Sequence, residues 1–436
     1  ESPYCNAAAN LKNCYLCFQA DRSINCAYLK VISDMKECLD CAYSNFCELS
    51  YESVNINKCY QAFYSQDCEE SQQVYFSKDL VGCSYCIGCV NLRSKSYCIF
   101  NEQVSKEKFD QFVKELDLGS SNAVTNFKKK EDEFMLKYPR RAFHGRKNVN
   151  CSGDYIFNSK NVRDSYMVGK SENLRYCQFL KAGPAANCYD YSVFGDKAEW
   201  MYDCVWNGIS VNNIKFSVWN YGASYLEYCF GCHGSNNLFG CVGIRKGEYC
   251  IFNKQYSKED YFKKVEEIKR QMMEMPYKDG VGHEYKYGEF FPSEICPWPY
   301  NETYGSEFFP LSKEAALKSG FSWRDPDQRE YQPATYVIPD NIKDVPDTIL
   351  KEILKCEECG KNYLISNIEF SFYKQHNIPV PRRCFFCRDN DRVSRLNPII
   401  IYNRNCAKCN NAIETSYAPE RPEIVYCESC YQQEIV

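Results

Sequence analysis

Eight cysteines near the C-terminus stand in four Cys-x-x-Cys pairs: Cys356/Cys359, Cys384/Cys387, Cys406/Cys409 and Cys427/Cys430. A pair at this spacing turns both sulfurs to one side of a tight loop. Two pairs face to face then offer four thiolates in a tetrahedron, the closed site that structural Zn²⁺ takes. The pattern predicts two Zn²⁺ per chain, each supplying folding free energy on the order of 10 kcal/mol. Gaps of 24 and 17 residues suit sequential pairing into two zinc-ribbon modules, but only 18 residues separate Cys387 from Cys406, so an interleaved arrangement stays open. Around the second pair lie Arg382, Arg383, Arg388, Arg392, Arg395 and Arg404, diluted by Asp389 and Asp391. Guanidiniums held on a rigid metal hairpin suit phosphate, which makes the first five candidate nucleic-acid contacts. The competing reading is a solvated face paired with the module's own carboxylates.

Other cysteine patterns carry weaker chemistry. Cys229-Phe-Gly-Cys232-His233 matches the haem c attachment pattern. One histidine after a Cys-x-x-Cys is expected by chance in so cysteine-rich a chain, and covalent haem needs an oxidising compartment. The pairs Cys14/Cys17, Cys38/Cys41, Cys83/Cys86 and Cys86/Cys89 could take a soft ion or act in redox chemistry. Against that stands a structural reading: buried thiols, one of each pair inward and the other near a corner. No phosphate loop, GxGxxG, HExxH or GxSxG is present, and the four histidines are scattered, so a cysteine nucleophile with a histidine partner requires tertiary contact.

The elements that position these residues follow from a second regularity. Cys5, Cys26, Cys47, Cys68 and Cys89 recur at a step of 21, accompanied by Cys17, Cys38 and Cys59 and by Tyr43, Tyr64 and Tyr85. Like residues at one long spacing imply a chain that returns to the same place once per repeat, as in a solenoid. Short strands between Asn, Ser and Asp corners predict a mainly β chain built of parallel β-helix. A second unit has Cys151, Cys177, Cys204, Cys229 and Cys250 at steps of 26, 27, 25 and 21. The segment Gly88 to Glu107 matches Gly240 to Glu259 at 13 of 20 positions, marking an internal duplication. After each copy, an amphipathic helix with Ser105 or Ser257 as N-cap is expected to close the open end. The expected organisation is a first solenoid over 1–102, capping helix and spacer over 103–146, a second solenoid over 147–254 and its capping helix over 255–275. A Pro- and aromatic-rich strap over 276–335 and two zinc ribbons over 336–436 complete it.

On the motifs Cys356-Glu-Glu-Cys-Gly360 and Pro379-Val-Pro-Arg-Arg-Cys-Phe-Phe-Cys-Arg388, the chain resembles a zinc-ribbon family of bacterial proteins. Over nearly its whole length it resembles uncharacterised zinc-ribbon proteins of small-genome uncultured bacteria. The residues that carry this are Asn13-Cys-Tyr-Leu-Cys17, Tyr97-Cys-Ile-Phe-Asn101, Gly288-Glu-Phe-Phe-Pro292, Tyr300-Asn-Glu-Thr303 and Val425-Tyr-Cys-Glu-Ser-Cys-Tyr431. The resemblance implies architecture, with a further ribbon pair ahead of the solenoid, and no activity.

Bulk properties bound the partners. With 436 residues, 44% hydrophobic, a net charge of −4 and a pI near 5.8, the chain has ample core and no global polyanion-binding footprint. No apolar run reaches membrane-span length. Thirty cysteines, eight of them in thiolate-demanding pairs, point to a reducing, cytoplasmic setting, and the first residue, Glu1, suggests a start inside a longer product. The expected function is a non-enzymatic zinc-binding scaffold docking an RNA, ribosomal or protein partner. The alternatives are metal handling or redox chemistry by the solenoid cysteines, and a cryptic enzyme with a cysteine nucleophile.

Overall fold

A computed structural model describes residues 2–180, 184–193, 195, 198–325 and 329–435. The chain is mainly β. In its first hundred residues every parallel pairing joins residue i to residue i+12, from Asn6↔Phe18 through Phe18↔Lys30 and Tyr60↔Gln72 to Ser84↔Ser96. The backbone turns into the left-handed region at every third residue, without interruption from Tyr4 (φ 57°) to Phe100 (φ 46°). The working unit is therefore a triplet, and four triplets separate each pairing from the next. The 21-residue cysteine step is not the pairing step. It spans seven triplets, so it returns a cysteine to the inside but on a neighbouring column.

Backbone polar groups explain which residues stand where, because each triplet must place three N–H donors. One donates to the turn ahead, as Asn6 N does to Cys17 O (3.1 Å). The next donates to the turn behind, as Gln19 N does to Asn6 O (3.1 Å). The third meets an inward side chain one turn earlier. Ser65 N donates to Ser53 Oγ at 3.2 Å, and Ser50 N to Cys38 Sγ at 3.4 Å. That same inward group donates to the carbonyls two residues back and nine ahead: Ser53 Oγ to Tyr51 O and Ala62 O, both 3.0 Å, and Cys38 Sγ to Lys36 O and Cys47 O at 3.2 and 3.5 Å. Small side chains able both to donate and accept fit this position, and it alternates Cys and Ser with Ala, Leu, Ile and Val in one buried column set.

The second stack, from Gly153 to Ile251, follows the same rule with insertions. Pairing steps run 12 (Gly153↔Ser165), 14 (Glu172↔Ala186), 13 (Cys188↔Met201) and again 12 (Asn212↔Ser224). The sequence steps of 27 and 25 are each two rounds, at least one of them lengthened. An asparagine ladder, Asn150–Asn161–Asn173–Asn187, runs along its outside with amide contacts of 3.0–3.1 Å.

Each stack ends in a short antiparallel return, Glu102–Gln103 or Lys254–Gln255, followed by a helix, α1 (Lys106–Leu116) or α3 (Lys258–Glu274). Ser105 and Ser257 cap them as expected from sequence. The helices lie against outward-facing aromatics of the last turns, Phe109 on Tyr85 and Tyr97, and Tyr261 on Tyr249. Between α1 and α3 in the chain, the stretch expected as a spacer contains α2 (Ser121–Met135), which buries Val124, Phe127 and Met135. Its narrow apolar face was hidden by the charged run Lys128 to Glu133.

The strap carries the short helices α4 (Tyr304–Phe308) and α5 (Lys313–Lys318). It crosses both stacks: Tyr287 and Phe291 cover Tyr228, while Phe308 packs on Phe179 and Tyr304 donates to Gln19 (3.1 Å). The C-terminal region adds α6 (Asn367–His376), α7 (Phe385–Ser394) and α8 (Glu428–Ile435). Among the described residues no helix is long and apolar enough to cross a membrane.

Candidate metal centres

The two C-terminal modules repeat one construction. In the first, a hairpin of Leu354–Lys355 and Asn362–Tyr363 carries Cys356 and Cys359. In the second, Tyr402–Asn405 and Ala412–Thr415 carry Cys406 and Cys409. Each knuckle closes with the same bonds. Cys356 N donates to Lys361 O (2.9 Å) and Gly360 N to Cys356 O (3.0 Å). Cys406 N donates to Asn411 O (2.8 Å) and Asn410 N to Cys406 O (2.9 Å). The turn needs a left-handed residue, supplied by Gly360 (φ 72°) and Asn410 (φ 61°). The second pair of each module sits at a helix start: Cys384 and Cys387 on α7, Cys427 and Cys430 on α8. There, exposed N–H groups favour thiolate.

Cys356, Cys359, Cys384 and Cys387 form one group and Cys406, Cys409, Cys427 and Cys430 the other, with all sulfurs of a group within 4.8 Å of one another. Pairing is sequential. The cross-pair distances Cys359–Cys384 and Cys409–Cys427 are both 3.7 Å, against about 3.8 Å for the edge of a tetrahedron with metal–sulfur bonds of about 2.3 Å. The donor set thus fits a tetrahedral ion of the Zn²⁺ class, and either group could hold a metal ion.

The thiols of each group are shifted in both directions. Burial works against ionising Cys356, yet the N–H groups of Cys359 and Cys384 bring it down to about 6; Cys406 reaches about 6 in the same manner through Cys409 and Cys427. Their neighbours move oppositely, with Cys384 raised mainly by burial and Cys430 pushed to about 12 by burial and the adjacent sulfurs. Four thiolates this close need a cation between them.

The first module is fastened to the first stack along α7. An α-helix advances about 5.4 Å per turn and stacked strands about 4.8 Å per rung, so successive turns of α7 meet successive rungs of one outward column. Phe385 stacks on Tyr28 (5.2 Å), and the Arg388 guanidinium lies over the same ring (5.0 Å). One rung on, Asp40 accepts from Arg388 Nε (3.3 Å) and Arg392 Nη1 (2.7 Å). A rung further, Glu52 accepts from Arg395 Nη2 (2.6 Å). Asp40 and Arg392 are 0% exposed. Lys30, also buried, joins the strap to α7 through Glu307 (2.6 Å) and Asp389 (3.3 Å).

This geometry revises the arginine expectation. Arg388 and Arg392 are buried ion-pair partners of Asp40 and cannot reach an external phosphate, and Arg395 is held by Glu52 and Asp391. Arg382 donates to Ser121 Oγ and the carbonyls of Ile338 and Pro339, each at 3.2 Å, and Arg383 pairs with Glu358 (3.0 Å) and Asp391 (3.2 Å). Arg382 and Arg383 alone of the five keep side chains more than a quarter exposed. Asp40, Glu52 and Lys30 were missed from sequence. Two acids interrupting the 12-step column Tyr28, Asp40, Glu52, Tyr64, Phe76 would have been the signal, had the triplet period been read.

The second module docks through other contacts. Arg140–Arg141 pair in parallel with Val425–Tyr426, Arg141 binds Glu428 (2.9 Å), and Tyr431 donates to Asp79. Nearby, buried Asp154 accepts from the Ser416 hydroxyl and faces His144 Nδ1 (3.0 Å), whose ring stacks on Tyr155 (4.6 Å).

The stack cysteines are free thiols, and among the described residues no group of three or more joins them as a metal site. In Cys14/Cys17, Cys38/Cys41, Cys83/Cys86 and Cys86/Cys89 both members point inward, at 0–1% exposure, because their spacing is one triplet. The expected inward-and-corner split is therefore wrong. Cys229 and Cys232 are inward in the same way, while His233 stays outside against Tyr221. Among the described residues no cysteine hydrogen-bonds to a histidine.

No protein-family model and no curated protein matches the chain. Among solved structures it is similar to one titled a "putative acetyltransferase" from Desulfovibrio desulfuricans G20, at 9% identity and a TM-score of 0.10. The match covers 58% of this chain and 65% of that one, so this chain spans less than two thirds of its length, and a likeness this low carries no argument about fold or activity.

Proposed function

We propose that the protein is a zinc-binding scaffold. In this reading the two parallel stacks are β-solenoids, two structural Zn²⁺ ions hold the C-terminal ribbons, and the ribbons lock the strap and stacks into one surface for a partner. The observation that carries it is the pair of four-cysteine groups with 3.7 Å sulfur edges, one of which positions the helix whose arginines close on Asp40. The resemblance to bacterial zinc-ribbon proteins agrees with it. An RNA, ribosomal or protein partner in the cytoplasm is the partner class we favour, by analogy with other zinc ribbons. Arg382 and Arg383 are the remaining arginines of the set able to meet a phosphate.

Elemental analysis of the purified protein tests the metal half. Two zinc per chain are expected, falling to one in Cys359→Ser/Cys384→Ser and likewise in Cys409→Ser/Cys427→Ser. Iron in place of zinc, or a metal-free folded chain, would refute it. Several soft ions per chain would favour metal handling by the stack thiols. Co-purifying RNA that is lost after nuclease and after Arg382→Glu/Arg383→Glu would support the partner class, and RNA-free protein that captures no ribosomal component would remove it.

A further inference from the structure

Where the first stack, α2, α7 and the approach to the second module meet, they leave a cavity of about 600 Å³. Tyr64, Met135 and Leu136 give it apolar walls, and its volume lies in the range of small-ligand pockets. Most charges on its rim are already matched: Lys128 and Arg395 share Glu52 at 2.5 and 2.6 Å, Arg383 holds Asp391, and Arg421 binds Glu423.

Four further charged groups are loosely held or unpaired. From the stack comes Lys78, whose ion pair with Asp67 is long, at 4.0 Å. Arg140 is 7% exposed; its Nη2 donates to Met135 O (3.3 Å), and its Nη1 has no hydrogen-bond partner. From α2 come half-buried Glu131 and exposed Asp132, whose carboxylates make no hydrogen bond or ion pair among the described residues. Burial brings Lys78 down to about 8 against the pull of Asp67, and burial together with Asp132 lifts Glu131 to about 8 although Lys128, Arg395 and Lys78 oppose the shift. Two cations and two acids on different elements, around one space, are complementary to a molecule carrying both charges.

We propose that this cavity binds a small ammonium–carboxylate zwitterion of short-peptide size, its carboxylate on Lys78 and Arg140 and its ammonium on Glu131 and Asp132. None of the four groups is a metal-site cysteine or lies next to one in sequence, although Arg383 on the rim directly precedes Cys384. Because the first stack, α2, α7 and the approach to the second module line it, an occupant would tighten their docking.

The test uses the full metal-loaded chain, titrated by calorimetry with triglycine, N-acetyl-triglycine and triglycine amide. Triglycine should bind saturably at millimolar concentration or below, and each capped form should bind at least tenfold more weakly. Lys78→Met should abolish discrimination against the amide but keep discrimination against the acetylated form, and Glu131→Gln should do the reverse. Retained metal content and circular dichroism report whether the variants fold, while the capped-ligand comparison on the unaltered protein stands whether or not they do. No saturable binding of triglycine, equal binding of all three probes, or inorganic phosphate binding more tightly than triglycine would each overturn the proposal.

Discussion

Replacing Asp40 by Asn leaves two guanidiniums facing a neutral amide in a place closed to bulk solvent. Asp40 and Arg392 are fully buried and Arg388 is 6% exposed, so solvent cannot take over the lost charge. Removing one partner of a buried ion pair costs about 3–5 kcal/mol. Two features place this site at the lower end. Asp389 lies 3.5 Å from Arg392 and supplies residual compensation, and Asp40 Oδ2 and Arg392 Nε already lack hydrogen bonds. The expected cost is about 3 kcal/mol, which at about 1.36 kcal/mol per decade is a factor of roughly 10² in the undocking equilibrium of α7. Cys384 and Cys387 sit at the start of that helix, so undocking exposes the first metal group and not the second. Chelator-driven metal release followed with a colorimetric zinc indicator should show one phase accelerated roughly 10²-fold in Asp40→Asn and the other unchanged. Hydrogen exchange should rise in residues 385–394 and stay constant in the hairpin at 402–415. Equal release rates in both proteins, or acceleration of both phases together, would refute the reasoning.

Cys38→Ser should cost no more than about 1 kcal/mol in denaturant unfolding, because Ser53 makes the same three bonds in the same triplet position, whereas Cys38→Leu should cost about 1–3 kcal/mol by overpacking. The His144 side chain is 13% exposed; its partial burial opposes protonation, but Asp154 overrides this and raises its pKa above 6.5. Its contribution is therefore full below pH 6.5 and lost as pH rises through the raised folded value, so thermal melts should show docking of the second module weakening above that point and His144→Gln should flatten the dependence. Gly240 is left-handed (φ 61°) and a Cβ there would lie 2.5 Å from Phe252, so Gly240→Ala should destabilise by about 1–3 kcal/mol, with partial recovery in Gly240→Ala/Phe252→Leu.

Composition and spacing exposed the metal groups because Cys-x-x-Cys is a local signal, complete within four residues and independent of the rest of the fold. Sequential pairing was only half legible, since both arrangements satisfy the gaps. The stacks were visible as repetition but with the wrong unit. Cysteine at a step of 21 stands out, whereas the triplet is carried by a mixture of Cys, Ser, Ala, Leu, Ile, Val and Met that no single residue type marks. Nor do its corners announce themselves through glycine. Left-handed positions such as Leu16, Val31, Tyr43 and Phe76 carry residues that normally avoid that region, held there by a ladder bonded on both sides. The arginines misled for another reason. Their partner Asp40 lies 348 residues from Arg388 and 352 from Arg392, beyond any local pattern.

A three-residue grammar also makes winding errors cheap. If the growing thread slips by one triplet, its inside stays greasy, its bends stay left-handed and nearly every rung still zips to a neighbour. What changes is which flank each outer side chain decorates, so Asp40 and Glu52 would present themselves to empty water. Residues 385–395 are synthesised long after the rungs they inspect, and they act as a late proofreader, accepting the one winding whose acids line up with their own cations.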